Sequence, residues 1–461
     1  MDMSNGITYS DKMETELNTP PMLCREIKNR KARMNCSNGQ TFSSGQEIRI
    51  PISLQNGVIQ QNSAMFYGTL TKTGISDTCF VDFSTFSLFD SVRVEAGAGG
   101  GATILELCDD IGLFYNFLTM HTNSLSDLQY NNITTRGATG FKQTNVALPD
   151  PVVAGEVLSV NDSYTFGKDG VNIPAQATAL ASDSVNFALN LSEAMGLFTQ
   201  NIVLSGTTGI CLVLRLAPLA SQLVFADSAS TGAITVQNPY LMVSILEGGD
   251  KYEKALKDMK SGPNGEVSLM FNTYSRYIQN VNATGGTNIQ LLITDTAKSV
   301  LGYIAVSRDT SAVANAELYK NSSSAWGLYQ NHALSVGGVL YPQNPISSAI
   351  ENYEEVRDLY KVISRRHNHG SILTREQGLV GETGEPRQFS GVFDGPSAVI
   401  AVNLTKCDDK NVWGIGANTT GAQSVFLQVS YAPTNAQTIT IFALRQQKVH
   451  INAIGEFSVE K

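Results

Sequence analysis

The sequence predicts an all-β chain of two successive sandwiches with short inserted helices. Three observations carry that expectation. Apolar residues alternate at period two in both halves, turn-forming residues separate the alternating runs, and one helix-like connector lies between the halves. At 461 residues the chain also exceeds what one hydrophobic core usually serves, so two domains are expected.

The first clear strand starts at Glu47, where Ile48, Ile50, Ile52 and Leu54 fall on one face. Pro51, on the other face, points to a sheet edge or a bulge, because proline cannot donate to a ladder. Similar runs follow at Val185 to Leu191, Leu212 to Leu216 and Leu241 to Ile245. The second half repeats the pattern at Ile289 to Ile293, Leu301 to Ala305, Ile400 to Leu404, Val425 to Tyr431, Ile439 to Ile441 and Val449 to Ile451. Gly, Ser, Thr, Asn and Asp cluster between them, as antiparallel turns require.

Three helices are expected. Asp250 can cap a connector in which Tyr252, Ala255, Leu256 and Met259 recur at helical spacing before Ser261-Gly262-Pro263 ends it. A second lies within 346–364, with Ile350, Tyr353, Val356, Tyr360 and Val362 among charges, and a third covers Leu105 to Met120. An α/β sheet would need strand and helix to alternate throughout. The resulting division is an N-terminal arm (1–38), a first β domain (39–247), a helical linker (248–265) and a second β domain (266–461).

Composition excludes several functions. Only 16% of residues are charged and 42% are hydrophobic, which describes an ordered globular chain. The net charge of -9 argues against a general nucleic-acid binder. Against that background Arg25, Lys28, Arg30, Lys31 and Arg33 form one basic cluster in the arm. They read either as a solvated helix or linker, or as an inward-facing arm touching genome, membrane or a neighbouring subunit.

Cysteines at 24, 36, 79, 108, 211 and 407 are too dispersed for a metal finger and read as isolated thiols. Sequons at Asn35, Asn132, Asn161, Asn190, Asn282, Asn321, Asn403 and Asn418 could suggest secretion, but the first residues lack the apolar core of a signal peptide. The apolar run Ile210 to Ala220 contains Arg215 and is about half the roughly 20 residues of a membrane span. A protein made and used inside the cell, in a reducing compartment, is expected.

No motif predicts catalysis. Gly97 to Gly101 lacks the Lys and Ser/Thr of a phosphate loop and reads as a turn. His367 and His369 with Glu376 invite comparison with metal-binding cupins, but the carboxylate lies too far along the chain; beside Arg365 and Arg366 the segment reads as an exposed basic loop. Asp109-Asp110 and Glu354-Glu355 read as helix surface, and Cys108 and Cys407 as buried or inert thiols. The expectation is no catalytic site, no metal and no cofactor.

The order of these signals resembles the double jelly-roll major capsid proteins shared by adenoviruses, tailless phages, virophages and large eukaryotic DNA viruses, and most of all the virophage and Polinton-like branch. The likeness rests on Ser87 to Val94 followed by a helix-like Leu105-Glu106-Leu107, on Phe187 to Leu191 through Leu212 to Leu216, on a closing strand at Tyr240 to Lys254, and on the end from Thr438 to Ile451. It spans about residues 40 to 455 and is one of layout, not of a strict signature. The resemblance implies two tandem jelly-roll barrels and a homotrimeric, pseudo-hexagonal capsomer tiling an icosahedral shell. It also implies neighbouring capsomers, penton and minor capsid proteins as partners, and an N-terminal arm beneath the shell facing membrane or genome. No small-molecule substrate is expected. The alternatives are a viral receptor- or carbohydrate-binding β-sandwich, which needs an exposed aromatic platform from the two tryptophans, Trp326 and Trp413, and a jelly-roll enzyme, which needs converging His and carboxylates.

Overall fold

A computed structural model describes residues 28–122, 171–247, 267–363 and 399–461, apart from short segments within those ranges. The principal strands of the first half are β1 (Lys28–Asn35), β2 (Glu47–Ile52), β3 (Met65–Thr73), β4 (Phe89–Ala96), β5 (Ile104–Asp109), β6 (Asp183–Asn190), β7 (Ile210–Leu216) and β8 (Ala233–Glu247). Those of the second are β9 (Val267–Val281), β10 (Asn288–Ile293), β11 (Val300–Asp309), β12 (Leu328–Val336), β13 (Val339–Ile346), β14 (Ile400–Asn403), β15 (Val425–Ala432) and β16 (Gln437–Ile451), with β17 (Phe457–Glu460) added at the end. Helix α1 (Ile111–Thr122) follows β5, and helix α2 (Ala349–Ile363) follows β13.

Hydrogen bonding orders the first half as β1-β8-β3-β6 and β2-β7-β4-β5, and the second as β9-β16-β11-β14 and β10-β15-β12-β13. Each strand of the first half therefore occupies the place of the strand eight further on in the second. Both halves are jelly rolls of one connectivity, with two antiparallel four-stranded paths facing each other. A small third sheet, Leu223–Phe225, Cys79–Val81 and Val171–Ile173, hangs on the first half.

The alternation expected at Glu47 is present: Ile48, Ile50 and Ile52 are fully buried, and β2 is an edge strand, the first of the two places Pro51 allows. The expected helix from Leu105 to Met120 needs correction. Ile104–Asp109 is strand, and the helix starts only at Ile111. Asp110 breaks the two apart with a positive φ of 48°, a conformation aspartate tolerates. Its amide donates to Asp90 O, and its carbonyl accepts from Phe114 N in the first turn of α1. The helix expected within 346–364 is found at Ala349–Ile363. The connector helix and the cysteine at 407 lie outside the described residues, as does the histidine pair.

The core of the first sandwich extends into the second half. One apolar cluster runs from Phe42, Ile50 and Phe66 through α1 into Leu269, Phe271, Leu301, Ile304, Tyr360 and Phe442 of the second half. A smaller cluster, including Tyr303, Trp326, Leu427 and Ile441, fills the second sandwich itself. β16 is consequently buried on both faces from Ile439 to Gln447, one side turned to each cluster. Period-two alternation marks one buried face; the second appears only when the halves pack.

Candidate assembly surfaces

The joint between the halves is densely packed. All twelve residues of α1 are buried. Phe114 stacks on Tyr274 at 4.0 Å between ring centroids and meets Phe442 edge-on at 5.2 Å. Several polar groups taken into the joint are paired across it. Asn116, fully buried, accepts from Ser84 Oγ at 2.6 Å and donates to Ser87 Oγ and to the carbonyl of Asn321 in the second half. Glu106, 1% exposed, accepts from the amides of Gly196 and Leu197 at 2.7 and 2.8 Å. Gly196 in turn lies so close to β9 that a Cβ would collide with the carbonyl of Asn272 and come within 2.5 Å of Phe271. Tyr274 donates to Asp109 O, Gln447 donates to Leu105 O, and Arg276 pairs with Asp110. Buried polar groups that keep their partners across a joint fix one relative placement of two surfaces.

The basic cluster is placed differently from the expected arm. Lys28, Arg30, Lys31 and Arg33 belong to β1, which pairs with β8 from Glu247 to Tyr240, so from Lys28 onward the chain is the first strand of the first jelly roll. Arg25 lies outside the described residues. Arg30 is paired with Glu247, and Arg33 lies over the Tyr240 ring at 3.8 Å, with Tyr240 stacked on Tyr67 at 5.0 Å. A strand with four cations and no acid escaped the alternation test because only Ala32 and Met34 reach the core.

The outer face of the other first-half sheet carries a closed ring of charge. Arg49 reaches Glu47 and Glu95 at 3.0 and 3.3 Å, while Arg93 reaches the same two at 3.0 and 2.7 Å. The register places Val213 between Arg49 and Arg93, and the ring leaves it fully buried. Burial alone would raise the Glu47 carboxyl, but hydrogen bonds and charges from Arg93 and Arg49 outweigh it and hold it below the usual carboxylate range.

The remaining candidate residues are dispersed. Asp109 ends a strand and Asp110 makes the turn, so neither is on a helix; Glu354 pairs with Arg357 on α2, and Glu355 accepts from Asn403 N. Cys108 is fully buried, and burial, with the Glu106 charge added, pushes its thiol well up. One Ser-His-Glu chain exists that sequence spacing did not reveal: Ser268 Oγ lies 2.9 Å from His450 Nδ1, and His450 Nε2 lies 3.3 Å from Glu460. Its members sit on three neighbouring strands, β9, β16 and β17, and Glu460 is also paired with Lys298, so it works as a cross-strand tie. Trp326 is buried and Trp413 lies beneath Lys448 at 4.2 Å. Among the described residues no group of three or more His, Cys, Asp or Glu could hold a metal, and no helix is long and apolar enough to cross a membrane.

No protein-family model matches the sequence, and no curated protein matches it either. Solved structures do match the fold. Similar structures include the VP54 protein of PBCV-1 fitted into a reconstruction of the virophage Sputnik (TM-score 0.57, 9% identity, covering 94% of this chain and 97% of that one). The Faustovirus major capsid protein gives a TM-score of 0.56 at 9% identity, over 92% of this chain and 90% of that one. The mavirus major capsid protein gives 0.51 at 9% identity, over 93% and 90%. Matches that run nearly end to end, on a chain whose two halves share one jelly-roll connectivity, make this a double jelly-roll protein with the fold of these viral capsid proteins.

Proposed function

We propose that this chain is the structural major capsid protein of a double-stranded DNA virus, trimerising into pseudo-hexagonal capsomers that tile an icosahedral shell. The observation that carries the reading is the joint: two jelly rolls of one connectivity are locked by a continuous apolar core and paired buried polar groups. A rigid two-barrel block suits assembly, where the orientation of one barrel to the next sets lattice geometry. The end-to-end likeness in fold to capsid proteins supports it. The virion shell is then the place of action, with neighbouring capsomers, penton and minor capsid proteins as partners. A receptor- or carbohydrate-binding role is less well supported, because neither tryptophan belongs to an exposed aromatic platform. Native mass measurement and electron microscopy of the purified chain test the proposal. The expected particle is roughly 150 kDa, three times the 49.6 kDa chain, with a hexagonal outline. A monomer that forms no higher assembly at any concentration overturns it.

A further inference from the structure

Resting on that trimer reading, the internal repeat identifies which surfaces meet between copies. Within the chain, β5 and α1 of the first half are covered by β9 and β16 of the second. By connectivity, β13 and α2 are the counterparts of β5 and α1, and β1 and β8 are the counterparts of β9 and β16. Among the described residues these counterpart surfaces do not pack on one another within the chain.

Their chemistry is complementary. β1 carries four cations and no acid, all four exposed, beside the half-exposed Tyr240 and Met242 of β8. The opposite surface is acidic with an apolar rim: α2 holds four acids against two bases, with Glu351, Glu354 and Asp358 exposed. Ile350 at 61%, Val339 at 53% and Tyr341 at 45% exposure lie on α2 and β13. Buried α1, by contrast, carries neither acid nor lysine nor arginine, as befits a helix already covered. Pro342 and Pro345 remove ladder donors from the edge strand β13, which disfavours sheet extension and leaves side chains to make the contact. Aromatic residues, Met and Arg are the types enriched in protein interfaces.

We propose that the β1–β8 face of one copy docks on β13 and the outer face of α2 of a second copy, repeating between chains the joint made within each. The contact is heterologous, first half to second half, so it propagates around a ring until it closes. The basic cluster is then a subunit-contact element and not a ligand for phosphate.

Charge reversal on the full chain tests this, with association followed by sedimentation over a concentration series. Lys31→Glu alone, and Glu351→Lys with Glu354→Lys alone, are each expected to weaken trimer association about tenfold or more, and the triple variant to recover much of it. Unchanged circular dichroism and thermal unfolding establish that the variants fold, and Asn29→Glu, another exposed β1 position, replaces Lys31→Glu if that variant does not. A wild-type trimer that survives both reversals overturns this contact while leaving the trimer reading intact. Sensitivity to Lys31→Glu without sensitivity on α2 overturns the pairing of surfaces. If Lys31→Glu abolishes binding to linear duplex DNA or to anionic phosphatidylserine vesicles while the trimer persists, the face serves that ligand and the proposal fails. A wild-type chain that never trimerises overturns both readings together.

Discussion

Arg276 of the second half places Nη1 2.8 Å from Oδ2 of Asp110 in the first, an ion pair about three-quarters shielded from solvent at the corner where β5 turns into α1. Asp110 thus serves twice, as the left-handed residue that ends the strand and as the anion that fixes β9 against it. Asp110→Asn keeps a side chain that tolerates positive φ and removes only the charge, whereas Asp110→Ala loses both. We expect costs of about 1 kcal/mol and about 2–3 kcal/mol respectively in urea unfolding. Equal costs for the two would show that tolerance of positive φ contributes nothing, and a costless Asp110→Asn that the ion pair contributes nothing.

Gly196 is held to a single residue type by proximity, since its φ of -66° is open to any residue. Gly196→Ala must move β9 or the turn that holds Gly196, so unfolding should begin at the joint. Hydrogen exchange is expected to accelerate in β9 and α1 while β12 and β15 keep their protection. Uniform acceleration throughout would contradict a local joint.

Glu106 anchors that same turn through two amides. Replacement by Gln retains one good acceptor and should cost less than Ala, which strands both buried donors and is expected to destabilise by about 2–4 kcal/mol. The order Ala worse than Gln, read from thermal denaturation, is the discriminating result.

Acid should loosen the chain through two buried imidazoles. His121, packed against Tyr360 and Tyr353 and donating to Phe117 O, is pushed down to about 4 by burial, which that hydrogen bond only partly opposes. His332, donating to Ala401 O, is likewise pushed down to about 4 by burial. In the unfolded chain both bind protons first as pH falls below about 6.5. Their stabilisation is therefore complete above that pH and lost progressively as pH falls toward 4, by about 3 kcal/mol for each. Unfolding midpoints between pH 7 and 4 should show this slope, and His121→Phe should flatten part of it. A slope unchanged in that variant would exclude His121 as a source.

Several elements were legible because one property of the side chains sufficed. Ile48, Ile50 and Ile52 declare a buried strand face, and Val356, Tyr360 and Val362 a helix stripe, whatever lies opposite. Leu105 to Asp109 misled because Leu107 continues at helical spacing into Ile111 and Phe114, and only the ladder with β4 and the turn at Asp110 decide against it. β1 escaped because a cation-rich edge strand lacks an apolar signature.

By itself the sequence determined the all-β class and the two-part plan, since periodicity and composition are properties of short stretches. The tertiary structure alone decided that the first core extends into the second half and that a cation-rich segment joins the first sheet. Those are matters of contact between residues hundreds of positions apart, such as Asn116 with Asn321 or Leu105 with Gln447, and no local spacing encodes them.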